Sequence, residues 1–510
     1  MTDVLDQPTP VTPTGSAGAA ATANIDNRTI DTRNTDNPNI DTPSTTSGLS
    51  ARAKLVLFLL CAANFMVAVD FSILNIAVPS IGKDLHITDA NLQWIATAFA
   101  LPSGGLLLLS GRVGDLVGRK KVFIAGTVLF TAASVIATVA WIPAVLLAGR
   151  ALQGIGAAMI VPTGMALLTT SFAEGPQRER ALGINGTLMT VGFTAGMVLG
   201  GALTQALSWR STMVLNTVMG AIVLLGAPRL LTESRNPHAS RLDIPGAVTV
   251  TTALLALIYA LSTAAQVGFG RADVVIGLVA GVALLVAFGV IESRAAEPLV
   301  SLRILRRRNV AIGNLGGLVT FACMSAVVFL GTLFLQQING MSPTLTGLVF
   351  AVMGIAAAFG GMVAPRLIGR FGARATLVGG LLFQGVLILP LAMIAPGNAT
   401  LLLVTFGAVA AFGHLAAIVS YGVTATSGLG DTEQGLATGL VTTSQQVGLT
   451  LGIPLLSAVA SARSDSLKSA GHAAKDALAG GIRLSLGADG VVVLVVAALV
   501  WFGLRTRTAR

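Results

Sequence analysis

Fourteen apolar runs, each long enough to cross a bilayer, follow one another from residue 54 to residue 504, and nothing else constrains the fold as strongly. They lie at about 54–79, 91–110, 122–141, 143–170, 181–204, 211–230, 243–264, 273–292, 309–335, 345–366, 375–395, 400–424, 435–459 and 485–504. A hydrocarbon core takes about 20 apolar residues per helix. Inside it every backbone amide must be satisfied within its own segment, which selects α-helix for runs of this kind. The expected fold is an all-α membrane protein with both termini on one side. With 54% hydrophobic and only 11% charged residues, the chain lies far from soluble globular composition.

Placing the N-terminus in the cytoplasm puts twenty-four Lys and Arg inside, seven outside and Arg150 within a span, out of 32. That asymmetry orients the chain. It also accounts for the net charge of +10 without nucleic acid as a partner. Residues 1–50, rich in Thr, Asn, Asp, Pro and Ser, read as a disordered cytoplasmic tail with nothing to bury. They lack the early apolar core of a signal peptide, so the sequon at Asn27 to Thr29 falls on the side without glycosylation. Cys61 and Cys323 both sit in apolar runs, where neither a disulfide framework nor a metal site is expected. The chain is expected to act as a monomer in the lipid bilayer.

Two charged residues stand deep inside spans. Asp70 lies in FMVAVDFSILNIAVP, nine residues before the outward-going first span ends at Pro79, or ~13 Å below that face. Arg150 is seven residues into the inward-going span from Pro143, or ~10 Å deep. Two opposite charges at matching depth are expected to face one interior cavity. A carboxylate takes up a proton when it is desolvated alone and gives it up beside a guanidinium. Movement between Asp70 and Arg150 would therefore switch a proton on and off. His414, mid-span in AAFGHLAAIV, is a weaker candidate titrator, while Asp243, Asp273, Glu292 and Asp489 fall at or near span ends. Gln153, three residues on from Arg150, shares its helix face. Asn75 and Asn216 are further polar insertions that line a cavity or bridge helices.

The loop after the second span reads GRVGDLVGRKKV, and the loop after the tenth reads PRLIGRFGARAT. Aligned without gaps, Arg112 meets Arg366, Gly118 meets Gly372 and Lys120 meets Arg374, at an offset of 254 residues. Degenerate halves of this kind are what transporters built from repeated bundles carry. The first copy, with Gly111, Arg112, Asp115, Gly118, Arg119, Lys120 and Lys121, resembles the signature loop of the major facilitator superfamily. The resemblance covers the whole membrane region and is closest to the drug:proton antiporter branch with 14 spans. RALQGIGAA from Arg150, VDFSILNIAVP around Asp70, LFLQQINGMSPTLTG with Gln336, and the surroundings of Gln445 and Gly448 all follow that branch.

The resemblance implies a major facilitator fold with a six-helix bundle at 51–231, an inserted helix pair at 243–292 and a second six-helix bundle at 309–505. It implies proton-coupled export of a small hydrophobic or cationic compound across the cell membrane, driven by the proton gradient without cofactor or ATP. Asp70 and Arg150 would couple the proton, and the Asp115 loop would latch the halves in one access state. Asn75, Gln153, Asn216, Gln336 and Gln445 would line the substrate cavity. The potential adds about 2.3 kcal/mol per charge per 100 mV. The branch's glycine motif for close helix packing is present as Gly183, Gly192, Gly196, Gly200 and Gly201, but Met197 replaces its proline. A dedicated exporter of one secreted metabolite, a proton-linked importer and a sensor without turnover stay open as alternatives. No catalytic constellation and no phosphate-binding loop points to an enzyme.

Overall fold

Ends of the apolar runs carry the chemistry that starts helices. Ser50 accepts from the Ala53 amide and Asp243 from that of Gly246, while Ser342 precedes a proline at the first helical position. The computed structural model describes residues 50–88, 91–172, 175–235, 243–295, 302–429 and 431–504. The expected tail at 1–50 lies outside the described residues except for Ser50.

Fifteen long helices follow in order: α1 (Ala51–Asp84), α2 (Gln93–Gly105), α3 (Leu107–Val117), α4 (Arg119–Thr138), α5 (Pro143–Ser171), α6 (Pro176–Ala206), α7 (Arg210–Leu230), α8 (Ile244–Val267), α9 (Ala272–Arg294), α10 (Arg308–Ile338), α11 (Pro343–Phe371), α12 (Ala373–Met393), α13 (Ala399–Thr426), α14 (Asp431–Ser469) and α15 (Ala474–Gly503). Thirteen of them are long and apolar enough to cross a membrane, and the bent pair α2–α3, counted as one span, makes fourteen. The 46° bend falls at Leu106. Pro102 in α2 and the adjacent Gly104 and Gly105 account for it, because proline removes a helical hydrogen bond and glycine yields. The protein is a multi-pass, all-α membrane protein.

The offset found in the loops runs through the helices. Shifted by 254 residues, the starts of α1, α4, α5 and α6 fall within three residues of those of α10, α12, α13 and α14. α11 starts four residues before α2 predicts, and the last pair drifts most: α14 has 39 residues where α6 has 31, so α15 begins ten residues later than α7 predicts. The final helix also begins at Ala474, eleven residues before the expected run at 485.

Helices α1, α2, α4, α5, α6 and α7 pack on one another, and α10 to α15 do likewise. The two sets meet along α6 against α11, α2 against α14 and α1 against α10, with the α8–α9 pair beside α2 and α14. α10 buries 89% of its most apolar stretch and α9 only 11%, which separates a central helix from one facing lipid. The seam is tight toward the end of α6 that leads into α7. There Gln336 Nε2 donates to the Ile76 carbonyl at 2.9 Å, and Thr344 Oγ1 to that of Gly201 at 3.1 Å. At the other end of α6, a Cβ on Gly183 or Gly186 would meet nothing within 4 Å.

Candidate functional site

Five helices converge on Asp70. Its side chain, fully excluded from solvent, receives Arg150 Nη1 at 2.7 and 3.0 Å and also the Asn216 amide. Arg150, 1% exposed, spreads its remaining interactions over its surroundings. Nη1 donates to Gln153 Oε1 at 2.9 Å, Nε reaches the Ile95 carbonyl at 3.3 Å, and the guanidinium lies 4.4 Å from the centre of the Phe99 ring. Gln153 Nε2 in turn donates to Ser134 Oγ at 2.7 Å. The equal depths read from α1 and α5 thus correspond to a direct ion pair. A buried pair survives only with good geometry and satisfied remaining groups, and the amides of Gln153 and Asn216 supply that. Both are wholly buried against the pair, so in this conformation they belong to the charge network.

Small residues bring the walls this close. A Cβ on Gly156 would stand 2.8 Å from the Gly126 carbonyl oxygen, and one on Gly154 would collide with the α2 backbone at Phe99. Along α6, Gly192, Gly196 and Gly200 press on α1 at Phe65, Val69 and Ile73, and Gly201 on α11 at Pro343. Gly183 corrects the expected packing row, for it faces open space. Nine residues at 100° each carry it about 180° round the helix from Gly192, whereas steps of four keep the other three on one stripe. Met197 is buried, its carbonyl lies against Gly347 of α11, and α6 runs unbroken through it.

The other candidates lie apart from the ion pair. Asn75 is buried and donates to the Phe71 carbonyl one turn back at 2.9 Å. Gln336 crosses the seam from a π-helical turn, Phe334–Ile338, and Gln445 is partly buried beside the Tyr421 hydroxyl. His414 Nδ1 is hydrogen-bonded with Thr320 Oγ1 at 2.8 Å, and Thr320 also donates to Gln384.

In the gating loop, Asp115 pairs with Arg119 one turn on at 2.9 Å. Gly111 packs near Pro162, Arg112 is partly buried and Lys121 is exposed. Lys120 Nζ donates to the Pro228 carbonyl at 2.7 Å. Gly118 turns the chain at φ +127°, a conformation that favours glycine. Glu233, just after α7, was not legible in the sequence: its carboxylate accepts from the Lys120 amide at 3.0 Å and caps the positive end of α4. The contact joins residues 113 apart, and no local pattern announces it.

Asp489 corrects an expectation. Expected near a span end, it is the sixteenth of the thirty residues of α15 and fully excluded from solvent. Asp243 caps α8 and Asp273 pairs with Arg271 at the start of α9, both at helix ends as expected.

A membrane bundle of two sequence-related sets of helices, with a charged pair sealed inside the first set, has the make-up of a secondary transporter. The chain belongs to the Major Facilitator Superfamily, whose family model matches residues 60–453 and 314–510. It is 37% identical over 418 residues to the cephamycin export protein CmcT of Amycolatopsis lactamdurans, covering 80% of this chain and 85% of that one. It is 34% identical to the puromycin resistance protein pur8 of Streptomyces alboniger, covering 89% and 91%. Among solved structures, a bacterial homologue of the human lysosomal transporter Spinster shares the fold with a TM-score of 0.63 at 18% identity, over 89% of this chain and 98% of that one.

Proposed function

We propose that this protein exports hydrophobic or cationic drug-like compounds, antibiotics among them, across the cell membrane in exchange for protons. The observation that carries the reading is the sealed Asp70–Arg150 pair with Asn216 as its third member. In this reading the guanidinium favours release of the proton while the pair is closed. Separation of α1 from α5 would leave it alone in a medium that favours the neutral acid, and a proton would then bind. The relatives' names, a cephamycin exporter and a puromycin resistance protein, support the class of cargo.

In this reading the sets at 51–231 and 309–505 rock about the seam, and the pair at 243–292 rides on its flank. With the termini cytoplasmic, the tight end of the seam is the outer one, and cargo enters from the loop side past Gln445. Asp115 is a latch in its released state, paired within its own loop. Export of one secreted metabolite is the second reading, favoured by the similarity to a cephamycin export protein.

Everted vesicles with an imposed proton gradient test the proposal. With ethidium as a lipophilic cation, the Asp70→Asn variant is expected to insert normally and to lose gradient-driven uptake down to the vesicle background. Uptake at the parental rate would sink the coupling role of Asp70. In the same vesicles, Asp115→Ala is expected to lower the maximal rate more than it changes the half-saturating concentration. Equal rates would remove the latch.

A further inference from the structure

Asp489 is the membrane-buried carboxylate that the Asp70–Arg150 pair leaves unexplained. Its position in α15 puts it ~22 Å from the start of that helix, at the midpoint of its thirty residues. Neither of its oxygens has a hydrogen-bond partner of ordinary geometry, and among the described residues no Lys, Arg or His nitrogen pairs with it.

The groups that face it come from every helix packed on α15. From α10 the Cys323 thiol is the titratable neighbour. From α12 it is the close backbone at Gly385, whose carbonyl would stand 3.0 Å from a Cβ on Gly490. The cation of α12, Arg374, is held at the far end of α15 by the Trp501 carbonyl. From α14, Leu456 packs on the preceding turn of α15, its carbonyl accepting from Ser485 Oγ at 2.7 Å. On α15 itself Arg483 donates to the Ile394 carbonyl.

An ionised carboxylate in this setting has neither counter-charge nor hydrogen-bond donor beyond a weak thiol, at a large cost in free energy. A permanently neutral acid would offer little that asparagine does not. What distinguishes an acid is release of the proton once water reaches it, and α14, which packs on α15, reaches across the seam. α14 belongs to the seam, where Thr450 Oγ1 donates to the Ala100 carbonyl at 3.1 Å. Four residues on, Pro454 denies that turn its hydrogen bond, immediately before the segment that covers α15. A shift of the seam therefore acts on the helix that packs on α15 one turn before Asp489.

We propose that Asp489 is a second proton-binding group of the transport cycle, loaded while α14 covers it and emptied to water when α14 moves away. The O–H bond breaks toward water on the opened side, and the carboxylate is protonated again from water on the other. Each turnover then carries one proton more than the Asp70 site alone. This rests on the proton-coupled reading above.

Two measurements on the full chain in lipid keep the two ideas apart. Infrared titration without cargo is expected to show a protonated carboxyl band at neutral pH that persists in Asp70→Asn, vanishes in Asp489→Asn and returns at a shifted frequency in Asp489→Glu. In proteoliposomes with ethidium, the proton-to-cargo ratio is expected to fall by one in Asp489→Asn while transport continues. The return of the band in Asp489→Glu shows that its loss in Asp489→Asn is not misfolding. A band that survives Asp489→Asn, no band in the parent, or an unchanged ratio overturns the assignment. Absence of proton-linked flux from the parent overturns the coupling reading instead, and the infrared arm tells the two failures apart.

Discussion

Asp70 in α1 and Asp489 in α15 are equally shut off from solvent, yet their surroundings are opposite. One has a guanidinium at 2.7 Å and a carboxamide donor; the other faces a thiol and no cation among the described residues. The repeat makes the contrast sharper. At the offset of 254 that aligns the two sets, Asp70 meets Met324 and Arg150 meets Val404, so the second set has no copy of the ion pair. Related halves thus keep their helix starts while distributing charge independently. The difference teaches that burial alone does not define the role of a membrane carboxylate; what compensates it does.

Removing the compensation is the strongest way to break this comparison. Arg150→Met leaves Asp70 buried without its cation, which costs about 3–5 kcal/mol where one partner of a buried pair is deleted. Thermal unfolding in detergent is expected to show a large loss of stability for Arg150→Met and recovery of most of it in the double variant Asp70→Asn/Arg150→Met. Asp489→Asn, with no cation to strand, is expected to change stability by less than about 1 kcal/mol. A double variant as unstable as Arg150→Met would mean that the pair matters for packing and not for charge. A large loss in Asp489→Asn would reveal a partner for Asp489 in the folded protein.

Much of the first site was legible because its determinants are local. Hydropathy located the spans, and counting residues from Pro79 and Pro143 put Asp70 and Arg150 at one depth, where they meet. Asp489 was misplaced because Lys475, Asp476 and Arg483 dilute the apolar signal at the start of α15. The helix continues through them, with Arg483 satisfied by the Ile394 carbonyl just after α12. Gly183 was placed with its motif by spacing along the chain, whereas packing follows the angle round the helix. Glu233 needed the approach of two segments 113 residues apart, which no pattern within either segment encodes.

The loops give the comparison its finest test, since they share a backbone and differ in charge. Gly118 and Gly372 both turn the chain at positive φ, +127° and +83°. Lys120 and Arg374 each tie the loop to the last helix of their own set, through the Pro228 and Trp501 carbonyls, both at 2.7 Å. The ion pair Asp115–Arg119 has Gly369 and Ala373 in its place in the second copy. A side chain at either glycine strains a backbone that favours glycine, by about 1–3 kcal/mol. At Gly372 the added Cβ meets nothing within 4 Å, but at Gly118 it would stand 2.7 Å from the Glu233 carboxylate that caps α4. Gly118→Ala is therefore expected to lower the melting temperature more than Gly372→Ala, by a margin of about 1 kcal/mol, the order of a lost cap. Combining Gly118→Ala with Glu233→Ala should remove the collision but also the cap, leaving the margin in place. If the double variant instead matched Gly372→Ala, the carboxylate would be an obstacle and not an anchor. The two loops would then differ only in surface charge.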